Sequence, residues 1–344
     1  MSRPRRRPGS TGYALSRRGT FSGIVFVGLI LVAALFAFLY AGPGPGAAQG
    51  TSTTVILPRG AGVTGIGHAL KRAGVIRSEG LFDVMAKLTG GSSLKAGEYA
   101  IRSGESMAAV IDDLKAGRVV RHFVTVPEGW TSQMAADAVN ASPVLTGFAA
   151  TPPEGAILPE TYEVRRGDNR AAVMDRMKAA ADTLLDRLWA ARKPGLPLAS
   201  PAEAVTLASI VEKETALPAE RPRIAAVFEN RLKAGIRLES DPTVIYGVSK
   251  GAPLGRGLTA SELAAATPYN TYKIAGLPPT PIANPGKASL EAVLNPPDTK
   301  ELYFVANGTG GHTFASAFAD HQKNVAKWRE IERRHAAAAG AGSK

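Results

Sequence analysis

Residues 55–70 read VILPRGAGVTGIGHAL, and a change of period inside this stretch decides the fold class. Val55-Ile56-Leu57 is a short apolar run closed by Pro58-Arg59-Gly60. Val63, Ile66 and Leu70 then recur at i, i+3 and i+7, the stripe of an amphipathic helix. The same order of strand, turn and helix returns at Tyr99-Ala100-Ile101-Arg102-Ser103-Gly104 with Met107, Val110 and Leu114. It returns more weakly at Val126-Pro127-Glu128-Gly129 with Met134, Ala138 and Val139. One strand and one helix cannot bury both their faces alone, so these units are expected to pack together. The fold class read from them is α+β.

Upstream, residues 24–41 read IVFVGLILVAALFAFLYA, an apolar run interrupted only by Gly28. At ~1.5 Å per residue it is roughly 27 Å long, close to the hydrocarbon thickness of a bilayer. Arg3, Arg5, Arg6, Arg7, Arg17 and Arg18 precede it with no acidic residue among them. The positive-inside rule then places the N-terminus in the cytoplasm and the body across the membrane. A cleaved signal peptide is the competing reading, with Gly46-Ala47-Ala48 as its cleavage site. The run exceeds the usual signal core of about 7–15 residues, which favours a retained anchor. The expected organisation is a cytoplasmic basic tail over 1–22, a single membrane-spanning helix over 23–42 and a flexible Gly/Pro/Ala linker over 43–52. A small α+β module over 53–125, a larger α+β domain over 126–332 and a disordered tail over 333–344 follow.

Composition narrows the function. The chain has 344 residues and no cysteine, which excludes disulfides and thiolate chemistry. Of the net charge of +12, the six arginines before the apolar run account for half. The remaining mild excess suits anionic lipid or an anionic polymer. No basic run is interleaved with aromatics, so nucleic acid is not expected as a partner. The five histidines show no zinc-ligand spacing, and the glycines at 308, 310 and 311 lack the phosphate-loop pattern, so neither metal nor cofactor is expected. There is no GxSxG elbow either.

The segment that carries chemistry is 200–217, SPAEAVTLASIVEKETAL. Ser200 and Glu203 form a capping box and Pro201 suits the first helical position. Pro218 ends the helix near Leu217. At ~100° per residue, Glu214 lies on the face of Ala204, Leu207, Ile210 and Val211, while Glu212 points away near Val205 and Ser209. Burial and the negative end of the helix dipole would both raise the Glu214 pKa, the condition a general acid needs. The bland alternative is a half-buried Glu214 paired with Arg221, Arg223 or Arg231. Downstream, Asp241-Pro242-Thr243-Val244-Ile245-Tyr246-Gly247 and Pro268-Tyr269-Asn270-Thr271-Tyr272 place polar groups on turns that could line a cleft. Gly276-Leu277-Pro278-Pro279 through Asn284-Pro285-Gly286 reads as a rigid extended loop. Leu302 to Ala306 and His312 to Phe314 read as two strands around a Gly-rich connection.

These motifs, in this order, resemble the endolytic murein transglycosylase family: Ala208-Ser209-Ile210-Val211-Glu212-Lys213-Glu214-Thr215, Asn230-Arg231-Leu232, the Asp241 and Pro268 segments, Gly276 to Gly286, and Gly310-Gly311-His312-Thr313-Phe314. Leu158-Pro159-Glu160-Thr161-Tyr162 resembles the family's Phe-Pro-Asp-Thr-Tyr and departs from it at Leu158 and Glu160. The resemblance implies an inner-membrane enzyme that cuts nascent peptidoglycan glycan strands internally, with a periplasmic body and a LysM-like subdomain over 53–125. It implies Glu214 as the essential glutamate, and cell-wall glycan polymerases and transpeptidases as neighbours. Asp241 and Glu160 are candidate supporting carboxylates. Tyr162, Thr243, Tyr246, Asn270, Thr271 and Tyr272 are candidate sugar contacts, each with a purely structural role as its alternative.

Overall fold

The computed structural model describes residues 17–90 and 93–341, with side chains over 22–90 and 93–335. The basic tail lies almost wholly outside the described residues. The chain divides into two compact units, 1–121 and 122–344.

The first unit begins with helix α1 (Arg17–Ala41). Its stretch Ser22–Ala41 is long and apolar enough to cross a membrane, and its side chains are open to the surroundings. Then come β1 (Ser52–Leu57), α2 (Val63–Arg72), α3 (Glu79–Leu88), β2 (Gly97–Arg102) and α4 (Met107–Ala116). β1 and β2 pair antiparallel, with Val55 opposite Tyr99 and Leu57 opposite Gly97. Val55, Leu57, Tyr99 and Ile101 point inward, and on β1 they alternate with outward neighbours as a half-buried strand requires. They meet Ile66, Leu70, Val110 and Leu114, the apolar stripes of α2 and α4. At ~1.5–3 kcal/mol for each buried aliphatic side chain, this cluster is what holds the unit.

Residues 43–52 are not the free linker their composition suggests. Gly44 N donates to Gly104 O and Gly104 N to Pro45 O, both at 3.0 Å. Ala47 N donates to the Ser103 hydroxyl at 3.0 Å, and Ser103 N to Thr51 O at 2.8 Å. Leu39 and Tyr40 pack on the core of the unit, and the Arg77 guanidinium lies 5.6 Å from the Phe38 ring centroid. The glycines and prolines that look like slack let the backbone lie flat along the 102–106 turn.

The second unit contains β3 (His122–Thr125), α5 (Ser132–Ala141), β4 (Thr161–Val164), α6 (Arg170–Ala190), α7 (Pro201–Glu214), α8 (Arg221–Lys233), α9 (Asp241–Ser249), α10 (Ala260–Ala264), α11 (Lys287–Leu294), β5 (Tyr303–Ala306), β6 (His312–Ala315) and α12 (Phe318–Ala341). β3 pairs antiparallel with β4, so the third repeat belongs to this unit, and the boundary falls at 121/122, ahead of the expected 125/126. The inward face of α5 is Ala135, Ala136 and Val139, rotated from the weak Met134 pattern. β5 and β6 form the expected hairpin, with Phe304 opposite Phe314. Asn307 closes its turn by accepting from Thr309 N and Gly311 N. The disordered tail expected from 333 is not what the backbone adopts: α12 runs to Ala341, and alanine is the strongest helix former.

α7 is the central element. Every residue from Ala204 to Val211 is buried, against α6, α8, α9 and α11. Ser200 accepts from Glu203 N at 3.3 Å, and the Glu203 carboxylate reaches Ala199 N at 2.7 Å, one residue before the expected cap. The helix stops at Glu214, three residues before the expected end. Thr215 is extended and its hydroxyl accepts from Leu217 N at 3.0 Å.

Candidate active site

Because α7 is buried all round, a single apolar face does not distinguish its two glutamates; their partners do. Glu212 Oε1 accepts from Arg221 at 3.0 Å, and its Oε2 accepts from Gly286 N at 3.0 Å and the Ser289 hydroxyl at 2.7 Å. Its carboxylate therefore caps the N-terminus of α11, where helix N–H groups favour negative charge. Arg221 is thus committed to Glu212, and Arg223 to Glu301. Neither pairs with Glu214.

Glu214 stands at the last turn of α7 and opens into a cleft of about 470 Å³, a size usual for ligand sites. Arg231, Glu239, Asp241, Tyr272 and His321 share the walls with Leu238, Phe304 and Val305. Among the described residues Glu214 has one hydrogen-bond partner, the Ser240 hydroxyl, which donates to Oε1. Burial pushes its carboxyl up to about 7, and the neighbouring Asp241 charge adds to this. The Ser240 hydrogen bond, His312 and Arg231 pull the other way without overcoming the burial. With Ser240 on Oε1, Oε2 has no partner among the described residues. A carboxyl poised between its two forms near neutral pH gives and takes protons with equal ease.

Ser240 stands at the N-cap of α9 but makes no cap hydrogen bond. An N-cap hydroxyl stabilises a helix by ~1 kcal/mol, and here it is turned to Glu214 instead. Three contacts hold it there. Ser240 N donates to the Thr271 hydroxyl at 2.9 Å, Thr243 donates to Ser240 O at 2.7 Å, and the two threonine hydroxyls are 2.8 Å apart. Thr243 and Thr271, expected as sugar contacts, are fully buried and position Ser240. Asn270 is likewise fully buried. Its amide donates to Leu263 O and Ala265 O, and its carbonyl accepts from Tyr272 N, so no face is left for a ligand.

Of the other expected residues, Asp241 and Tyr272 line the cleft with Glu214, joined by a 2.8 Å bond from the Tyr272 hydroxyl to Asp241. Tyr246 does not line it. Its hydroxyl donates to Glu154 at 3.1 Å, and Glu154 also accepts from Ser132 N. Glu160 and Tyr162 are also absent from the cleft walls. Glu160 is exposed near Leu158 and Lys287, and the Tyr162 hydroxyl donates to Leu158 O at 2.7 Å. The Leu158-Pro159-Glu160-Thr161-Tyr162 motif therefore builds the β3–β4 edge.

Sequence reasoning missed Ser240, Glu239 and His321. Ser240 carried a signal as the residue before Asp-Pro-Thr. Glu239 carried none, although its φ of 54° is rare for a side chain other than glycine or asparagine. A raised pKa alone would have misled. Burial pushes Glu229 on α8 up to about 8, yet it lines a separate small cavity by Lys193 and Asp298. Among the described residues, no group of three His, Cys, Asp or Glu is placed to hold a metal.

The YceG-like family model matches residues 55–327. The endolytic murein transglycosylase of Bacillus subtilis is 31% identical over 81% of this chain and 85% of its own length. That of Streptococcus pneumoniae D39 is 29% identical over 80% of this chain and 58% of its own. A crystal structure of a yceG-like protein from Listeria monocytogenes is 28% identical, covering 80% of this chain and 99% of that one, with a TM-score of 0.49. With a match that spans both units and takes in the whole cleft, the chain belongs to the YceG-like family.

Proposed function

We propose that the chain is a peptidoglycan lytic transglycosylase that cuts glycan strands internally, between N-acetylmuramic acid and N-acetylglucosamine. The observation that carries this reading is Glu214: a single buried carboxyl, raised to about 7, at the open face of a cleft. The two relatives named for this activity support the substrate.

In the proposed reaction, the Glu214 proton passes from Oε2 to the bridging oxygen as the bond from that oxygen to C1 of the muramic sugar breaks. The bonding electrons leave with the glucosamine oxygen, and positive charge develops at C1. The sugar's own C6 hydroxyl then bonds to C1, and its proton returns to Glu214. The product is a 1,6-anhydro end, no water is consumed, and the acid is regenerated. A retaining hydrolase would need a second carboxylate as nucleophile, about 5 Å from the first. Here the intramolecular hydroxyl takes that place, and Asp241 serves by keeping the Glu214 proton on.

In this reading α1 is a retained single-pass anchor in the inner membrane. The N-terminus is cytoplasmic, the chain that follows α1 is periplasmic, and residues 53–125 hold glycan in a LysM-like manner. The strands within reach are then newly made ones, so cutting them would end their elongation beside the glycan polymerases and transpeptidases. The test is product analysis by mass on purified strands. Wild type should release anhydro-muropeptides and Glu214→Gln should not. Reducing ends carrying an added water would instead make the enzyme a hydrolase.

A further inference from the structure

Arg231, Tyr303 and His321 come from three different elements and form one stack on the wall of the Glu214 cleft. The His321 ring lies on Tyr303 at a centroid distance of 5.0 Å and an interplanar angle of 21°. The Arg231 guanidinium carbon is 5.3 Å from the same Tyr303 ring. Both Arg231 and His321 face the cleft. We propose that Arg231 and His321 present two donors that together bind the carbonyl oxygen of an N-acetyl group on the glycan strand. This rests on the glycan-cutting function proposed above.

The hydrogen-bond inventory of the two side chains carries the inference. Arg231 Nε donates to Leu302 O at 2.7 Å. Nη1 donates to Arg237 O, Leu238 O and Glu239 Oε2, at 2.9, 3.0 and 3.1 Å. None of these bonds uses Nη2. Those that do exist fix the guanidinium plane, so a ligand meets an edge already oriented. His321 Nδ1 is buried with no partner. A buried unpaired N–H is rarer in folded proteins than an under-used acceptor, so the proton belongs on the other nitrogen, Nε2. Protonating both nitrogens would bury an unpaired N–H and a charge beside Arg231. Burial and Arg231 accordingly lower the His321 pKa, against a weaker pull from Glu239. The ring stays neutral, with Nε2–H as its one donor.

The Glu239 and Asp241 carboxylates in the same walls can take the hydroxyl protons of a sugar, which leaves the two donors for an oxygen that only accepts. A glycan strand offers hydroxyls, which both give and take, and N-acetyl carbonyls, which only take. A carboxylate would also accept, but Glu239 and Asp241 stand in the same walls and repel it.

The test is a binding cycle in full-length Glu214→Gln protein, so that no strand is cut during measurement. Glycan strands stripped of stem peptides are used in two forms, fully N-acetylated and de-N-acetylated. His321→Phe keeps the stack on Tyr303 and removes the donor. On acetylated strands it should weaken binding about 5- to 10-fold, the worth of one uncharged hydrogen bond. On de-N-acetylated strands it should have no effect, because the acceptor is already gone. His321→Gln, which restores an N–H, should recover part of the loss. Unchanged binding of acetylated strands by His321→Phe, or an equal loss on both forms, overturns the proposal. A wild type that leaves strands uncut while the cycle holds would instead overturn the reaction and leave this wall standing.

Discussion

Glu212 and Glu214 stand two residues apart on one helix, and each reaches the N-terminus of another. Glu212 enters the start of α11 and finds a backbone N–H, a serine hydroxyl and a guanidinium. Glu214 reaches the start of α9 and finds one hydroxyl, a neighbouring carboxylate and open cleft. A carboxylate surrounded by donors and a cation is held in place as structure. One that is buried, with a single donor and a like charge beside it, keeps its proton, and a proton with a cleft in front of it is chemistry. The difference lies in the burial of Glu214 and in what α8, α9 and α11 bring to α7.

The comparison breaks first at Glu214. Glu214→Gln should lower strand cleavage by about 10³-fold, within the range of a lost general acid. It should not unfold the protein. The raised Glu214 pKa means that stability is fully present below about 4.5, the ordinary glutamate value, and declines as pH rises through about 7. The variant lacks that decline, so it should melt with wild type at about pH 4 and above it at about pH 8. Loss of fold at both pH values would show Glu214 to be structural after all.

Glu212→Ala should give the opposite result. It strips Arg221 of its closest carboxylate, leaving Glu128 at 3.4 Å, and uncaps α11. Breaking a buried pair by removing one partner costs about 3–5 kcal/mol. Denaturant unfolding should report a loss of that order, with the pH dependence of cleavage unchanged in the protein that remains folded. A stable Glu212→Ala with a displaced pH profile would place Glu212 in the chemistry.

How much of this was legible follows the same line. The period change at residues 55–70 pointed to the strand–helix order of the first unit because that signal is local, whereas helical spacing could not separate Glu214 from Glu212 on a helix buried all round. Thr243, Asn270 and Thr271 were found as a group but read as sugar contacts. Whether a hydroxyl faces ligand or a neighbouring backbone depends on a residue 28 or 31 positions away. His321 was out of reach for the same reason, since its wall is assembled from α8, β5 and α12. Residues 43–52 show the opposite failure. Composition said slack, and hydrogen bonds to residues 103 and 104 removed it.

The finest test leaves Glu214 in place and changes two residues that act on its proton. Ser240 lowers the Glu214 pKa by hydrogen bonding the carboxylate, and Asp241 raises it by charge. The two stand side by side in sequence and act with opposite sign. In wild type, cleavage should fall as pH rises through about 7, as the acid loses its proton. Ser240→Ala removes the stabiliser of the charged form, so this limb should move up. Asp241→Asn removes the repelling charge, so it should move down. Each displacement should be on the order of half a pH unit, with rates at the optimum falling no more than about tenfold. A limb that moves the same way in both variants would mean that the titrating group is not Glu214. Opposite movements would tie the profile to the one carboxyl that both residues influence, and a purely structural disturbance has no reason to change sign between adjacent positions.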